Sequence, residues 1–396
     1  MPKQYFFEAG SFPDLSYTEL CCVLESFNFN KEIVEKFSEN IFLVKNESLT
    51  DDIFRNIFKR LGGCIRAGTV IQNLDSFLEE FQNEGEKIIF GISIIGNKRG
   101  YNNVFVKKLG NEIKRGLKEY GVNSRFVLPM RKELSLNTAQ LVKNNILERG
   151  FEFDIIVGNS REIYGRTEYV QDLGGFVKRD MNRPNANILM GTLPPKLARM
   201  MVNFTALKSG IIWDPFCGSG TIPMEAVTIG FNVLASDADD LAVASTDENI
   251  RWLNEDGSID GILYETFKLD VTRPDSKIVK KLKNTDISAV VCEPFMGPPQ
   301  KSPVSENRAE ELLNSVGKLY KSLFDLIDNR IEKRGIRAVI IIPSYKTFNG
   351  WKTIGIREVA GNRWILKNSY YVPNKELRWY RQDSIIMRNI FILERS

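Results

Sequence analysis

A short segment has the residue types of a cofactor loop: Asp214-Pro215-Phe216-Cys217-Gly218-Ser219-Gly220-Thr221, between an apolar run and a helix-forming run. Two glycines around one small residue let the backbone approach a ligand closely. The helix that follows begins with unpaired N–H groups. A pyrophosphate-binding GxGxxG turn is one alternative, although the third glycine is missing, and an ordinary strand–helix turn is another. The aspartate ahead of the turn suits a cationic or hydroxyl-bearing ligand better than a phosphate.

Acidic residues follow the later apolar runs at positions that suit contacts to the same ligand. Asp237 comes about twenty residues after the glycines, where doubly wound folds have the partner of a ribose hydroxyl. A carboxylate accepts hydrogen bonds from both ribose hydroxyls at once. Asp239 and Asp240 are more typical of helix N-caps. Asp270, in Leu269-Asp270-Val271-Thr272, follows a further apolar run, and a strand-end cap is its alternative.

Composition excludes several other chemistries. The 396 residues include no histidine, which excludes a Ser-His-Asp triad, a histidine base and the commonest zinc ligands. The five cysteines contain no CxxC pair and are expected as reduced thiols, without a metal. No run approaches the roughly 20 apolar residues that span a bilayer, and the first residues do not have the pattern of a secretion signal. We therefore expect a cytoplasmic protein without a membrane partner.

The net charge of +4 is small, but it is unevenly distributed. Residues 98–143 contain eleven lysines or arginines and three acids. Some of the basic residues fall on a predicted helix, where apolar residues recur at helical spacing. Those apolar residues are Val104, Leu109, Ile113 and Leu117. A basic surface would bind a phosphate backbone with an affinity that falls steeply with salt, whereas a solvated helix face is the alternative. The candidates for phosphate contact are Lys98, Arg99, Lys107, Lys108, Lys114, Arg115, Arg125 and Lys143.

This part of the chain resembles a THUMP domain, an RNA-binding module of several tRNA- and rRNA-modifying enzymes. The likeness lies in a predicted strand at 88–95, the basic helix, and Ser124-Arg125-Phe126-Val127. It continues through a predicted helix that ends at Gly150 and a strand at 153–157. The residues before about 60 alternate short strands and amphipathic helices, as the leader of such enzymes does. The resemblance implies RNA as a partner.

The segment 214–221 resembles the S-adenosylmethionine (SAM) loop of Class I methyltransferases that modify exocyclic amino groups. Arg183-Pro184 and Pro194-Pro195-Lys196-Leu197-Ala198 are similar to segments ahead of that loop in the tRNA guanine-10 N2-methyltransferase family. The resemblance implies SAM as the cofactor, without a metal. It further implies that Asp214 lies near the cationic end of SAM, Asp237 at its ribose and Asp270 at its adenine amino group. The full cofactor-binding set that it implies is Asp214, Phe216, Cys217, Gly218, Ser219, Gly220, Thr221, Asp237, Ala238, Asp270 and Val271.

Glu293-Pro294-Phe295 stands where amino-methyltransferases carry Asp/Asn-Pro-Pro-Tyr/Phe. In that motif a side-chain acceptor and the first proline carbonyl each take one N–H of the amine, which directs its lone pair at the methyl group. An aromatic residue stacks on the base. Here Glu293 keeps the carboxylate with one extra methylene, Pro294 is retained, and Phe295 brings the ring one position early. These three are the predicted catalytic residues, and a turn without chemistry is the alternative.

Cys217 and Cys292 lack the setting of a cysteine nucleophile and are expected to pack as small apolar residues. Arg378 and Arg388 stand beside aromatic residues. They are either RNA contacts, through phosphate or base stacking, or ordinary surface residues.

We therefore predict an α/β protein with an N-terminal α+β, THUMP-containing RNA-binding region followed by a Rossmann-like Class I methyltransferase domain. The expected parts are a ferredoxin-like leader at 1–60, THUMP at 61–160, a linker at 161–190 and the methyltransferase domain at 191–396. The resemblance implies SAM-dependent methylation of guanine N2 in tRNA, at guanine 10. An rRNA guanine-N2 methyltransferase and an inactive THUMP RNA-binding protein are the alternatives. The number of methyl groups, the oligomeric state and the need for a small activating protein stay open.

Overall fold

A computed structural model describes residues 3–82, 85–186, 193–255, 257–331 and 334–396. By internal contacts the chain divides into two units. The first comprises Met1–Tyr17 and Phe29–Leu173, and the second comprises Thr18–Asn28 and Gly174–Ser396. The end of the predicted linker, 187–190, and the start of the predicted methyltransferase domain, 191–192, lie outside the described residues.

The first unit is built on one mixed sheet. Its strands are β1 (Gln4–Ala9), β2 (Val34–Lys36), β3 (Ile41–Lys45), β4 (Cys64–Ile71), β5 (Ile88–Gly96), β6 (Ser124–Val127), β7 (Gly150–Val157) and β8 (Glu162–Val170). Within the described residues the strand order is β2-β3-β1-β4-β8-β7-β5-β6. β5 is parallel to β6 and to β7, and the remaining neighbours are antiparallel.

Helices connect these strands and cover the sheet. Those wholly in the first unit are α2 (Asp51–Arg60), α3 (Leu74–Glu79), α4 (Asn103–Glu119) and α5 (Thr138–Lys143), whereas α1 (Pro13–Ser26) belongs to the second unit from Thr18 onward. α4 begins where the Asn102 side chain accepts from two backbone N–H groups, as an N-cap does. Its buried face consists of Val106, Gly110, Ile113 and Leu117. The predicted apolar face was wrong at Val104, whose side chain is 74% exposed.

The structure corrects the predicted linker and one predicted helix end. β8 lies inside 161–190 and pairs with β4 and β7 in the middle of the sheet. Its alternating polar and apolar residues resemble a loop in sequence, although alternation is also the pattern of a half-buried strand. Gly150 opens β7 instead of ending a helix, and its missing side chain lets the Ile89 carbonyl come close.

The leader and the predicted THUMP region share one sheet. β1, from the expected leader, pairs with β4, which begins after residue 60. The predicted boundary between residues 60 and 61 therefore falls within a single sheet and does not separate two domains. The assignment of this unit to the THUMP class remains a prediction.

The second unit contains a mainly parallel sheet. Its strands are β9 (Ile211–Asp214), β10 (Asn232–Asp237), β11 (Tyr264–Lys268), β12 (Ile287–Cys292), β13 (Arg337–Thr347), β14 (Gly350–Thr353), β15 (Trp364–Leu366), β16 (Leu377–Trp379) and β17 (Ile386–Arg395). Within the described residues the order is β11-β10-β9-β12-β13-β17-β15, with β14 on β13 and β16 on β17. The five neighbouring strands β11, β10, β9, β12 and β13 are parallel to one another. β17 is antiparallel to β13 and to β15. The arrangement is Rossmann-like, and its last long strand, β17, is antiparallel to its neighbours.

Helices lie between these strands. They are α6 (Leu173–Met181), α7 (Pro195–Asn203), α8 (Thr221–Thr228), α9 (Asp240–Leu253), α10 (Ser276–Asn284), α11 (Glu306–Arg330), α12 (Ile356–Ala360) and α13 (Asn368–Tyr371). Ser305 caps α11 by accepting from the Arg308 N–H. The buried face of α11, which includes Tyr320 and Phe324, shares one hydrophobic core with Trp213 of β9. Because β9, β10 and β12 are parallel, their carboxyl ends bring the glycine loop, Asp237 and Glu293 to one edge of the sheet.

Candidate functional site

The glycine loop is a tight turn whose backbone conformation favours glycine. Gly218 has φ +52° and Gly220 has φ +84°, both in the left-handed region. The Gly220 N–H donates to the Cys217 carbonyl over 2.7 Å and closes the turn. A Cβ at Gly218 would meet no atom within 4 Å, whereas one at Gly220 would approach Thr246 to 3.0 Å. Gly218 therefore presents bare backbone to open space, and Gly220 packs against α9.

Asp237 holds the loop from the neighbouring strand. Its Oδ2 accepts from the Gly218 N–H over 3.0 Å, and its Oδ1 accepts from the Asp239 N–H over 3.1 Å. Each carboxylate oxygen has a second lone pair, so Asp237 keeps acceptor capacity for a hydroxyl while it fixes the turn.

A cavity of about 580 Å³ lies against the loop, within the size range of small-molecule sites. Predicted site residues that line it are Asp214, Phe216, Cys217, Gly218, Ser219, Thr221 and Glu293. The lining also includes residues that sequence reasoning missed: Pro184, Asn185, Ala186, Leu193, Ile222, Asp239, Leu241, Ala242 and Ser245. Asp239 caps α9 through the Leu241 N–H, as its type predicted, yet it also faces the cavity.

The other predicted cofactor residues are not among the lining residues. Gly220, within the loop, packs against α9, and Asp237 bonds the loop from the end of β10. Ala238 is exposed after β10. Asp270 is exposed and accepts from the Thr272 N–H and hydroxyl, which lowers the pKa of its carboxyl group. Val271 is buried in the core of the second unit.

Two buried carboxyl groups give the cavity its electrostatic character. Asp214 is 1% exposed and accepts from the Phe216 N–H over 3.0 Å. Burial raises the pKa of Asp214 well above its usual value, and the nearby Asp237 and Glu293 raise it further. A positive charge bound here would lower that pKa again, because it stabilises the ionised form. The cavity therefore favours a cationic ligand.

Glu293 follows β12 and forms an ion pair with Arg388 of β17. Arg388 Nε lies 2.6 Å from Glu293 Oε1, and the two side chains are 11% and 16% exposed. Burial raises the pKa of Glu293, while Arg388 acts in the opposite direction. The prediction for Arg388 needs correction, because it is neither an exposed RNA contact nor an ordinary surface residue.

The rest of the predicted catalytic loop has a defined conformation. Pro294 is buried and Phe295 is 61% exposed, and neither is among the residues that line the cavity. The Tyr345 hydroxyl donates to the Met296 carbonyl. Gly297 has φ +84°, and a Cβ there would collide with the Tyr345 hydroxyl.

The two cysteines near the cavity are poor nucleophiles. Burial raises the pKa of both the Cys217 and the Cys292 thiols, with a further contribution from Asp214. Thiols in this state hold their protons at neutral pH, and the thiolate is the reactive form. Packing, as predicted, is the role that this environment supports.

Buried arginines hold the helices behind the cavity. Glu225 of α8 accepts from Arg179 over 2.5 Å and from Arg199 over 2.7 Å. Arg183, 3% exposed, donates to the Thr221 hydroxyl over 2.7 Å, and burial lowers its pKa. This bond connects Arg183, the residue just before the lining segment 184–186, to the first turn of α8.

The predicted RNA-contact residues form a basic surface on the first unit, and every one of them is exposed. Lys107, Lys114 and a further residue, Lys118, fall on one stripe of α4, because eleven residues make just over three full turns. The stripe is about 16 Å long at 1.5 Å per residue. Arg125 donates to the Asn144 side chain at the end of α5, next to Lys143. Lys98 and Arg99 lie in the loop after β5.

In the part of the chain that the structure describes, no cluster of acidic residues and cysteines has the geometry of a metal site. No described helix combines the length and the apolar character that crossing a membrane requires.

Comparisons with known proteins agree with this arrangement. Residues 184–267 match the family model UPF0020, RMKL-like, methyltransferase domain. A tRNA (guanine(10)-N2)-dimethyltransferase from Methanocaldococcus jannaschii is 25% identical over 333 residues, which are 79% of this chain and 86% of that protein. A protein of the same name from Methanothermobacter thermautotrophicus is 31% identical over 37% of each chain. A probable tRNA (guanine(10)-N2)-dimethyltransferase from Methanothermococcus thermolithotrophicus is 30% identical over 127 residues, and the match spans 74% of it.

The chain belongs to the tRNA (guanine(10)-N2)-dimethyltransferase family. This membership agrees with the family resemblance found in the sequence. The residues matched by the methyltransferase model begin at Pro184, the first of the missed cavity residues. As a family member, the chain has its methyltransferase domain in the second unit, with the glycine loop and the cavity.

Proposed function

We propose that this protein transfers methyl groups from SAM to the exocyclic N2 of guanine 10 in tRNA. The observation that carries the proposal is the position of Glu293, whose carboxylate lines the same cavity as the glycine loop and Asp214. A cofactor at the loop and an amine at Glu293 would therefore share one enclosure. The reaction is proposed from the named activity of the relatives, and the cavity offers a site where it could take place.

The chemistry of the cavity fits SAM. When bound, SAM supplies a methyl group on a positively charged sulfur. The carboxylates of Asp214, Asp239 and Glu293 complement a cation, and the bare backbone at Gly218 leaves room for a close approach. Asp237 would accept from the ribose hydroxyls with its remaining lone pairs. Asp270 would reach the adenine amino group from the end of the next strand, with Ala238 and Val271 nearby in sequence.

Glu293 and the carbonyl of Pro294 would orient the guanine amine. Each would accept one N–H, so the nitrogen lone pair points at the methyl carbon. As the N–C bond forms and the C–S bond breaks, N2 gains positive charge, which the Glu293 carboxylate stabilises. The proton of the alkylated amine then leaves to Glu293 or to water. Phe295, exposed two residues after Glu293, would stack on the base once the base leaves its helix.

The first unit would bind the body of the tRNA, as a THUMP-type module in the cytoplasm. Its exposed lysine stripe on α4 supports this role, because phosphates are bound by such residues without regard to sequence. The predicted binding set is Lys98, Arg99, Lys107, Lys108, Lys114, Arg115, Arg125 and Lys143.

The test is methyl transfer to defined transcripts. The protein is incubated with methyl-labelled SAM and a tRNA transcript, and then with the same transcript carrying inosine in place of guanine 10. Inosine lacks the 2-amino group, so labelling should fall to background, and mass spectrometry of the guanosine product should show one or two methyl groups. Undiminished labelling of the inosine transcript would exclude guanine 10 as the target.

Two further arms separate the alternatives. Labelling of rRNA fragments but not tRNA would favour a ribosomal target, and no labelling of either would favour an RNA-binding protein without activity. Glu293→Gln keeps the shape of the side chain and removes its charge, so transfer should fall about 100-fold or more. Full activity of that variant would remove Glu293 from the mechanism.

A further inference from the structure

Arg388 reaches the catalytic loop from a strand that is not adjacent to it. The sheet order is β12-β13-β17, so Glu293 and Arg388 are two strands apart, about 9.5 Å in backbone spacing. Arg388 is opposite Pro343 of β13 on one side and Trp379 of β16 on the other. Its guanidinium carbon lies 5.0 Å from the centre of the Trp379 ring, which fixes the direction of the side chain.

We infer that Arg388 is a positioning residue for methyl transfer, which holds Glu293 Oε1 so that Oε2 is directed to the incoming amine. The inference rests on the proposed function. Oε1 is 2.6 Å from Arg388 Nε, and among the described residues no hydrogen bond to Oε2 is found. One oxygen is therefore fixed, and the other keeps its acceptor capacity for an N–H group.

The pairing also accounts for the unusual residue at the start of the motif. An aspartate would end one carbon–carbon bond earlier, about 1.5 Å short of the position that Glu293 occupies. Because the partner comes from two strands away, the longer side chain is what brings the carboxylate to 2.6 Å from Arg388. The departure from the Asp/Asn-Pro-Pro pattern and the arginine on β17 thus form one arrangement.

The charges around Glu293 show why a cation matters there. Asp214 on β9, Cys292 on β12 and Tyr320 on α11 are acidic groups that interact with Glu293. The Glu293 carboxylate raises the pKa of all three groups, so they hold their protons more firmly. Burial raises the pKa of Glu293 itself, and Arg388 opposes that rise. Without Arg388 the pKa of Glu293 should rise further, and a larger fraction of the carboxyl group would be protonated at neutral pH.

A control residue exists on the same strand. Arg395 of β17 pairs with Asp328, and the side chains are 13% and 16% exposed, almost as buried as Arg388 and Glu293. This pair lies at the other end of the strand, outside the cavity lining. Arg395→Met therefore removes a buried β17 ion pair without touching Glu293.

The experiment compares Arg388→Met, Arg388→Lys and Arg395→Met with the parent protein in single-turnover methyl transfer to tRNA from pH 5 to pH 9. For Arg388→Met we expect the rate at pH 7 to fall at least about tenfold, with the acid limb displaced upward by about one pH unit. The apparent KM for tRNA should change less than the rate does. Arg388→Lys should recover part of the loss, and Arg395→Met should lower thermal stability without moving the limb.

A second measurement does not depend on activity. The ¹³C carboxyl resonance of Glu293, assigned through Glu293→Gln, is titrated in the parent and in Arg388→Met. An upward shift of its pKa in the variant supports the inference even if no tRNA is methylated, a result that would count against the proposed function alone. An unchanged Glu293 titration, or a raised KM for tRNA with an unchanged acid limb, would overturn the inference and assign Arg388 to structure or phosphate binding.

Discussion

The two units each bury a charged cluster, and the clusters have opposite excess charge. In the first unit Arg66 faces Glu8 and Glu152 at 2.7 Å and Asp154 at 3.7 Å. In the second unit one carboxylate, Glu225, faces the two guanidinium groups of Arg179 and Arg199. One cluster therefore has more acids than cations, and the other has more cations than acids.

The two clusters relieve their excess charge by different means. Burial raises the pKa of Glu8 and of Asp154, so the acidic cluster can become neutral by keeping protons. Guanidinium groups do not give up their protons in proteins, so the basic cluster needs another partner. Phe176 provides it, with its ring centre 4.9 Å from the Arg179 guanidinium and 4.7 Å from that of Arg199. The first cluster should respond to pH, and the second to loss of its carboxylate.

The largest effect is expected from Glu225→Gln, because it leaves two buried arginines without a counter-charge. The free energy of unfolding of the second unit should fall by about 3–5 kcal/mol. Affinity for SAM should also fall, since Glu225 lies on α8, which begins at the cavity. Urea unfolding followed by tryptophan fluorescence measures the change, because all five tryptophans are in this unit.

The matched control is Glu265→Gln, which removes an exposed carboxylate paired with Lys281. It should change the unfolding free energy by less than about 1 kcal/mol. Equal losses from the two variants would mean that burial of the Glu225 cluster has no energetic weight.

Arg66→Met should have the next largest effect, about 2–3 kcal/mol on the first unit, since its carboxylates can take up protons when the cation is lost. The loss should be greatest above neutral pH and smaller near pH 5. Hydrogen exchange of β4, β7 and β8 measures it, because the first unit contains no tryptophan. A loss independent of pH would contradict the comparison.

Phe176→Leu keeps most of the apolar volume but removes the ring face from both arginines. We expect a loss of about 1–2 kcal/mol in the second unit. Phe324→Leu, on the buried face of α11, is the control, because it removes a buried ring that the cation contacts of Phe176 do not involve. Added salt should change the stability of Phe176→Leu and of Phe324→Leu to different extents. Equal responses of the two variants to salt would mean that the Phe176 ring does not screen the arginines.

Asp154→Asn should have the smallest effect, and it should be stabilising. A carboxyl group whose pKa is raised in the folded state supports folding below its unfolded pKa. That support is lost as the pH rises towards the folded pKa. Asparagine does not ionise, and its side-chain oxygen can still accept from the Thr167 hydroxyl as Asp154 does. The variant should therefore match the parent near pH 4 and exceed it by about 1 kcal/mol at pH 7, in urea denaturation with hydrogen exchange readout.

Local patterns were sufficient to predict the glycine loop. The strand before it, the glycines and the helix after it are adjacent in sequence, so β9, Gly218 and α8 were all found. The carboxyl end of a parallel strand also has a fixed edge in the sheet, which brought Glu293 to the cavity.

Non-local partners were beyond such patterns. β8 looked like a linker because its burial depends on β4 and β7, which are distant in sequence. Arg388 looked like a surface residue because its partner is 95 residues away. Pro184 lies in a segment similar to the family, but the role of 184–186 as cavity lining was not predicted, because that role depends on the fit of this segment against the loop.

β17 enters the interior of a sheet whose other site-bearing strands precede it in the chain. Glu293 and Arg388 are 95 residues apart, and a ribosome adds about 5–20 residues per second, so the arginine is synthesised about 5–20 s after the glutamate. During that interval a nascent chain has the glycine loop and Glu293, but residues 337–343 of β13 lack the strand that β17 later provides. That open edge can pair with foreign strands, and the Glu293 carboxylate lacks its arginine partner. Synthesis of β17 therefore both covers the edge of β13 and completes the Glu293–Arg388 ion pair.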